Sequence, residues 1–167
     1  HGHAAIFPDH GAVTVDEWEL PPSQRASIEQ RARARVPEGP VEVLRVRDGE
    51  GRLAGYALVL DERGKYRPIT FMVGVTPDFA VRGVEVMVYR EDRGDEVRHR
   101  RFLRQYRGKR ARDPIRTHRD IVNITGATIS VNSLNRGVRR ALATVEALYG
   151  PSAAAQPARS HPLDGGR

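Results

Sequence analysis

The sequence predicts an α+β fold, an antiparallel β-meander covered by helices, on three observations. Four apolar-polar alternating runs follow one another after residue 41. Short polar separators rich in Gly, Asp and Pro join them. The last strong apolar pattern, from about residue 130, then switches to the helical period.

In chain order, residues 1–20, with Pro8, Asp9 and Gly11, read as irregular. "PPSQRASIEQRARARVPEGP" has a Pro-Ser entry and a Pro-Glu-Gly-Pro exit, predicting a surface helix over residues 23–36 with a thin apolar stripe that includes Ala26 and Ile28. The four alternating runs are 41–47, 52–60, 68–76 and 81–90. In the third, Ile69, Phe71, Val73 and Val75 share one face; in the fourth, Val84, Val86 and Val88 do. Runs joined by such short turns pair as antiparallel neighbours, and the apolar face they share needs a cover. Residues 95–106 read as one covering helix, acidic first and basic later, the favourable sense for the helix dipole. The second is the amphipathic C-terminal helix, where Val131, Leu134, Val138, Leu142, Val145 and Leu148 recur at three- and four-residue intervals and Arg136, Arg139 and Arg140 mostly fall off the stripe. Gly150-Pro151 ends it. The organisation expected is an N-terminal segment over 1–40, a domain over 41–150 and a disordered tail over 151–167, whose Ala, Pro and Gly offer little to pack.

Composition narrows the function. The 167 residues suit one hydrophobic core. A formal charge of +7 and a pI near 10.5 bring acidic partners, nucleic acid and anionic membrane surfaces into view. Lys65 and Lys109 are the only lysines, and no basic-aromatic interleaving of a single-strand binder is present, so nucleic acid is not the expected partner. Residues 98–119 hold ten Lys or Arg against one acid, Asp113; they form either a solvated face or a dock for an acidic partner or membrane. Arg104 and Arg107 are candidates to meet a phosphate. With no cysteine, disulfides, zinc-thiolate sites, Fe–S clusters and thioether haem are excluded. No stretch is long enough to span a membrane. His1, His3 and His10 lie in a terminal segment and are not expected to hold a metal. Glycine-serine elbows, P-loops and dinucleotide fingerprints are absent, and no catalytic residue is assigned.

The stretch that carries chemistry is "ITGATIS", residues 124–130, at the start of the terminal helix. Unpaired amides at a helix N-terminus attract anions. Gly126 and Ala127 let a ligand approach the backbone, and Thr125, Thr128 and Ser130 supply hydroxyls. Two readings follow: Thr128 or Ser130 is simply a helix cap, or the segment holds a phosphate.

"TGATIS" preceding a terminal amphipathic helix resembles the flavinylation motif of the FMN-binding domain family, which includes the FMN-carrying subunits of the sodium-pumping NADH:quinone reductase and the Rnf electron-transport complex. "GYALVL", "ITFMVGVTPDFAVRGVEV" and "RFLRQYRGK" resemble the family's paired strands and following segment. The resemblance implies FMN bound as a phosphoester on Thr128, with Thr125, Gly126, Ala127, Ile129 and Ser130 around it and Glu91 and Gly94 on the flavin-facing loop. It also implies a separate FMN transferase for the attachment, redox partner proteins of a membrane electron-transport chain and an extracytoplasmic location, periplasmic or cell-surface, with or without a membrane anchor in the full-length form. The domain would then be an electron carrier rather than a stand-alone catalyst. Two positions depart from the family pattern: Val122 stands where Asp is usual, and Glu96 replaces the last Gly of the loop. The alternative is a non-redox adaptor of the same fold, docking through the Arg-rich segment.

Overall fold

The computed structural model describes residues 2–91, 94–153 and 156–163. Its frame is one six-stranded antiparallel sheet, with strands β1 (His10–Trp18), β2 (Val41–Asp48), β3 (Leu53–Arg63), β4 (Pro68–Val75), β5 (Val81–Val88) and β6 (Arg159–Pro162). The order β5-β4-β3-β2-β1-β6 keeps the first five strands in sequence order, as short turns require. Helix α2 (Pro22–Ala32) bridges β1 and β2 on the face that also carries α4 (Thr128–Tyr149).

The two faces are covered differently. Ile69, Phe71, Val73 and Val75 point into the main core, where Val131, Leu134, Val138 and Leu142 of α4 meet them. Val84 and Val86 join this core, while Val88, expected beside them, is exposed near the strand end. Ile28 and Ala32 of α2 are buried against Ala143 of α4, whereas Ala26 faces solvent, so the stripe is narrower than expected. On the far face, Phe7 packs with Val46, Ala57 and Met72, and the short helix α1 (Gly2–Ile6) lies beside it. Gly74 makes the seat: a Cβ there would stand 2.4 Å from Ile6 and 3.1 Å from Phe7.

Three sequence expectations are corrected. The first twenty residues are largely ordered into α1 and β1, because β1 completes the ladder beside β2. The tail is not wholly irregular: β6 adds to the free edge of β1, with the Ala158 amide donating to the Glu17 carbonyl and that of Leu163 to Val13. Both strands belong to the sheet. Residues 95–106 are not one helix but a 3-10 turn (Asp95–Arg98), α3 (Arg100–Leu103) and a second 3-10 turn (Arg104–Tyr106), broken at the extended His99. Val97 and Phe102 are both buried, yet five positions apart they would diverge by about 140° around one straight helix. The break points both inward.

Two buried charges lock the elements together. Asp16 is fully buried and accepts from Arg45 Nε (2.7 Å) and Nη2 (3.2 Å), Tyr149 Oη (2.6 Å) and Ser160 Oγ (2.7 Å), joining β1 to β2, α4 and β6. Burial alone would push its carboxyl up; the hydrogen bonds from Arg45, Tyr149 and Ser160 outweigh burial and hold it below the usual carboxylate range. A depressed carboxylate contributes stability above its unfolded value, about 4, and loses it as pH falls through the folded value. Stability is therefore expected to decline from about pH 4 downward. Asp16→Asn should flatten that limb and cost on the order of 2 kcal/mol at neutral pH, read by denaturant unfolding across the pH range. An unchanged acid limb would assign it to other carboxylates. The second charge is Arg140, expected off the apolar stripe but buried within it, 3.1 Å from Glu62 Oε2 on β3.

Candidate functional site

The motif begins with a tight turn. The Ala127 amide donates to the Ile124 carbonyl at 2.9 Å, and Gly126, with φ +83°, takes the third turn position, where a type II turn needs positive φ. The turn delivers the chain into α4, whose N-cap is Ala127. No side chain caps this end, so the first-turn amides remain available to an anion. The cap-only reading of Thr128 and Ser130 is thereby excluded.

Their hydroxyls do other things. Ser130 is buried and its Oγ lies 3.1 Å from the Tyr89 hydroxyl, so it buttresses Tyr89 at the end of β5. Thr128 is exposed, and its Oγ1 accepts from the Asn123 side-chain amide at 2.9 Å. The other end of that amide, Asn123 Oδ1, is buried with no hydrogen-bond donor. A buried acceptor is rarely left so and asks for a donor from outside the described chain.

Thr128 stands on the wall of a cavity of about 550 Å³, lined by Lys65, Tyr66, Tyr89, Glu91 and residues 126–130. This volume is within the range of small-ligand sites. Of the residues expected here, Gly126, Ala127, Thr128, Ile129, Ser130 and Glu91 all line it. Thr125 is exposed just outside the lining. Gly94 sits behind the wall: its φ is +84°, and a Cβ there would meet the Tyr89 hydroxyl at 2.7 Å and Ala127 Cβ at 3.1 Å. It lets the backbone at this position approach the motif closely.

Glu91 plays a different part from a ring contact. Its Oε1 accepts the amides of Tyr66 (2.7 Å) and Arg67 (2.9 Å) in the β3–β4 turn. Those two bonds hold its carboxyl below the usual range. Neither Arg104 nor Arg107 reaches the Thr128 cavity; with Arg82 and Arg100 they line a separate hollow of about 200 Å³ between β5 and α3. Lys65 is the cation on the Thr128 cavity among the described residues. Lys65, Tyr66, Tyr89 and Asn123 were missed from sequence. Lys65 is one of two lysines in a chain that otherwise uses arginine, and each follows a glycine, so sequence alone did not single it out. A second cavity of about 520 Å³, bordered by Leu44, Val59, Met72 and Met87, contains no motif residue. Among the described residues no group of His, Asp or Glu is placed to hold a metal ion, and no helix is long and apolar enough to cross a membrane.

The residues present fit a flavin mononucleotide. Free helix amides and an exposed hydroxyl suit its phosphate, and the cavity offers two tyrosines. No curated protein is detectably similar in sequence. Among solved structures, NqrC of Shewanella oneidensis is similar in fold, with a TM-score of 0.58 over 81% of this chain and 79% of that one, at 19% identity. Residues 64–143 match the FMN-binding domain, a stretch that opens at the β3–β4 turn and includes the whole motif. Motif, cavity and match agree: residues 64–143 resemble the FMN-binding domain family, and the cofactor this match indicates is FMN.

Proposed function

We propose that this FMN-binding domain is an electron carrier whose flavin is joined to Thr128 through a phosphoester, serving an extracytoplasmic or membrane-associated redox chain. The observation that carries the proposal is the exposed Thr128 Oγ1 at an uncapped helix start on the wall of the cavity. When bound, FMN supplies the redox chemistry, taking up one or two electrons. The chain's own residues hold it. The first-turn amides of α4 face the phosphate, Gly126 keeps the approach open, and Tyr89, braced by Ser130, forms a wall.

The chain does not activate its own nucleophile. Thr128 Oγ1 is met by a donating amide, Asn123, which is not a base. Attachment therefore belongs to a separate FMN transferase: the Thr128 oxygen bonds to the FMN phosphorus of FAD, the hydroxyl proton is lost and AMP leaves. Protein co-expressed with such a transferase should be yellow and keep its colour on denaturation. Colour lost on denaturation would replace the ester with non-covalent FMN.

One observation favours the adaptor instead. Val122, in the place of the family's Asp, is 75% exposed and presents an apolar side chain where a transferase would read an acid. If only Val122→Asp acquires flavin, the native chain is the adaptor.

The redox partner is an acidic protein. Lys109 and Arg110 are paired with Asp120 and Asp78; of the eight other basic residues of the segment, Arg100, Arg104 and Arg107 line the hollow beside β5. Replacing these three by Gln should slow association with an acidic carrier about tenfold at low salt, and the difference should vanish at high salt. Stopped-flow flavin absorbance reads this. Equal rates at low salt would move the dock elsewhere.

A further inference from the structure

The β3–β4 turn, residues 64–67, lies at the cavity mouth and has no role in attaching a phosphate. It is held twice: the Gly64 amide donates to the Arg67 carbonyl at 3.0 Å, and the Glu91 carboxylate takes the amides of Tyr66 and Arg67. The clamp fixes the backbone of a turn that carries an aromatic ring out in water. Tyr66 is 79% exposed, the most exposed large hydrophobic side chain among the described residues, yet it lines the cavity. A tyrosine on a fixed backbone, with only two side-chain torsions to order, supplies contact area at little entropic cost. Beside it, Lys65 Nζ stands 5.3 Å from the Tyr66 ring centroid. Lysine is a compact point charge on a flexible stem, suited to meeting a localised negative charge.

We propose that this turn is the electrostatic cover of the flavin: Tyr66 packs on the isoalloxazine ring, and Lys65 stabilises the negative charge the ring gains on reduction. Glu91 is a positioning residue, acting only through the backbone of Tyr66 and Arg67. The inference rests on the FMN reading and deepens it. Uptake of two electrons with one proton leaves the ring with one net negative charge, so a neighbouring ammonium favours the reduced form and raises the potential.

The test uses flavin-loaded protein and potentiometric titration with an external reductant. Lys65→Met should lower the reduced-to-oxidised ratio at a fixed potential about tenfold, a midpoint about 30 mV more negative for a two-electron couple. Lys65→Arg should restore it. Tyr66→Leu should brighten flavin fluorescence by removing a stacked quencher. Glu91→Ala should shift potential and fluorescence in the same directions, and Glu91→Gln, which keeps the acceptor oxygen, should rescue both. If yellow, Thr128-modified protein shows an unchanged midpoint in Lys65→Met and unchanged fluorescence in Tyr66→Leu, this inference fails while the FMN reading stands. If the wild-type chain takes no flavin at all, the FMN reading fails and the cover falls with it.

Discussion

Co-expressed with an FMN transferase, a Thr128→Ala variant is expected to carry no covalent flavin, a complete loss rather than a reduction. Alanine removes the only side-chain hydroxyl among the described residues that is both exposed and on the cavity wall at the helix start. The neighbouring hydroxyls are not substitutes. Ser130 is buried and engaged with Tyr89, and Thr125 lies outside the lining. Ser130→Ala should therefore keep the covalent flavin while loosening Tyr89. Helix α4 should form normally in Thr128→Ala, since Thr128 does not cap it. Far-ultraviolet circular dichroism checks that the loss is chemical and not a failure to fold. Covalent flavin persisting in Thr128→Ala would sink the site assignment.

The largest stability effect is expected at Glu62. Its carboxylate meets Arg140 at 3.1 Å and Arg136 at 3.5 Å, and the Glu62 and Arg140 side chains are only 10% and 9% exposed. Burial pulls the Arg140 guanidinium down in pKa, against the attraction of Glu62. Glu62→Leu removes the attraction and leaves a buried, unpaired cation, which costs about 3–5 kcal/mol. For a domain of this size that lowers Tm on the order of 10 °C. Glu62→Leu with Arg140→Met replaces the pair by apolar volume and should recover most of the loss. Calorimetry of both variants reads the cycle. A single variant as stable as the parent would mean that Arg140 finds water or another partner when Glu62 is gone.

The parts of this fold legible in sequence are those with a period. Ile69, Phe71, Val73 and Val75 alternate because one sheet face is buried, and Val131 through Leu148 recur at helical spacing because one helix face is. What was not legible depends on long-range pairing. β6 is exposed at every position and exists through backbone bonds to β1 and the Ser160–Asp16 contact, so its composition shows nothing. The run from Asp95 to Tyr106 has helical residues but no single helical stripe, and tertiary burial of Val97, Phe102 and Tyr106 broke it. The site divides the same way. The helix start around Thr128 is local and was readable. The clamp from Glu91 to Tyr66, 25 positions apart, and the meeting of Ser130 with Tyr89, 41 apart, arise only when β3, β4, β5 and α4 are assembled.

The most direct measurement is the intact mass of the chain co-expressed with an FMN transferase, followed by peptide mapping across residues 120–136. The expected result is an added mass equal to FMN minus water, localised to Thr128. An unmodified, colourless chain, or the added mass on any other residue, would contradict it.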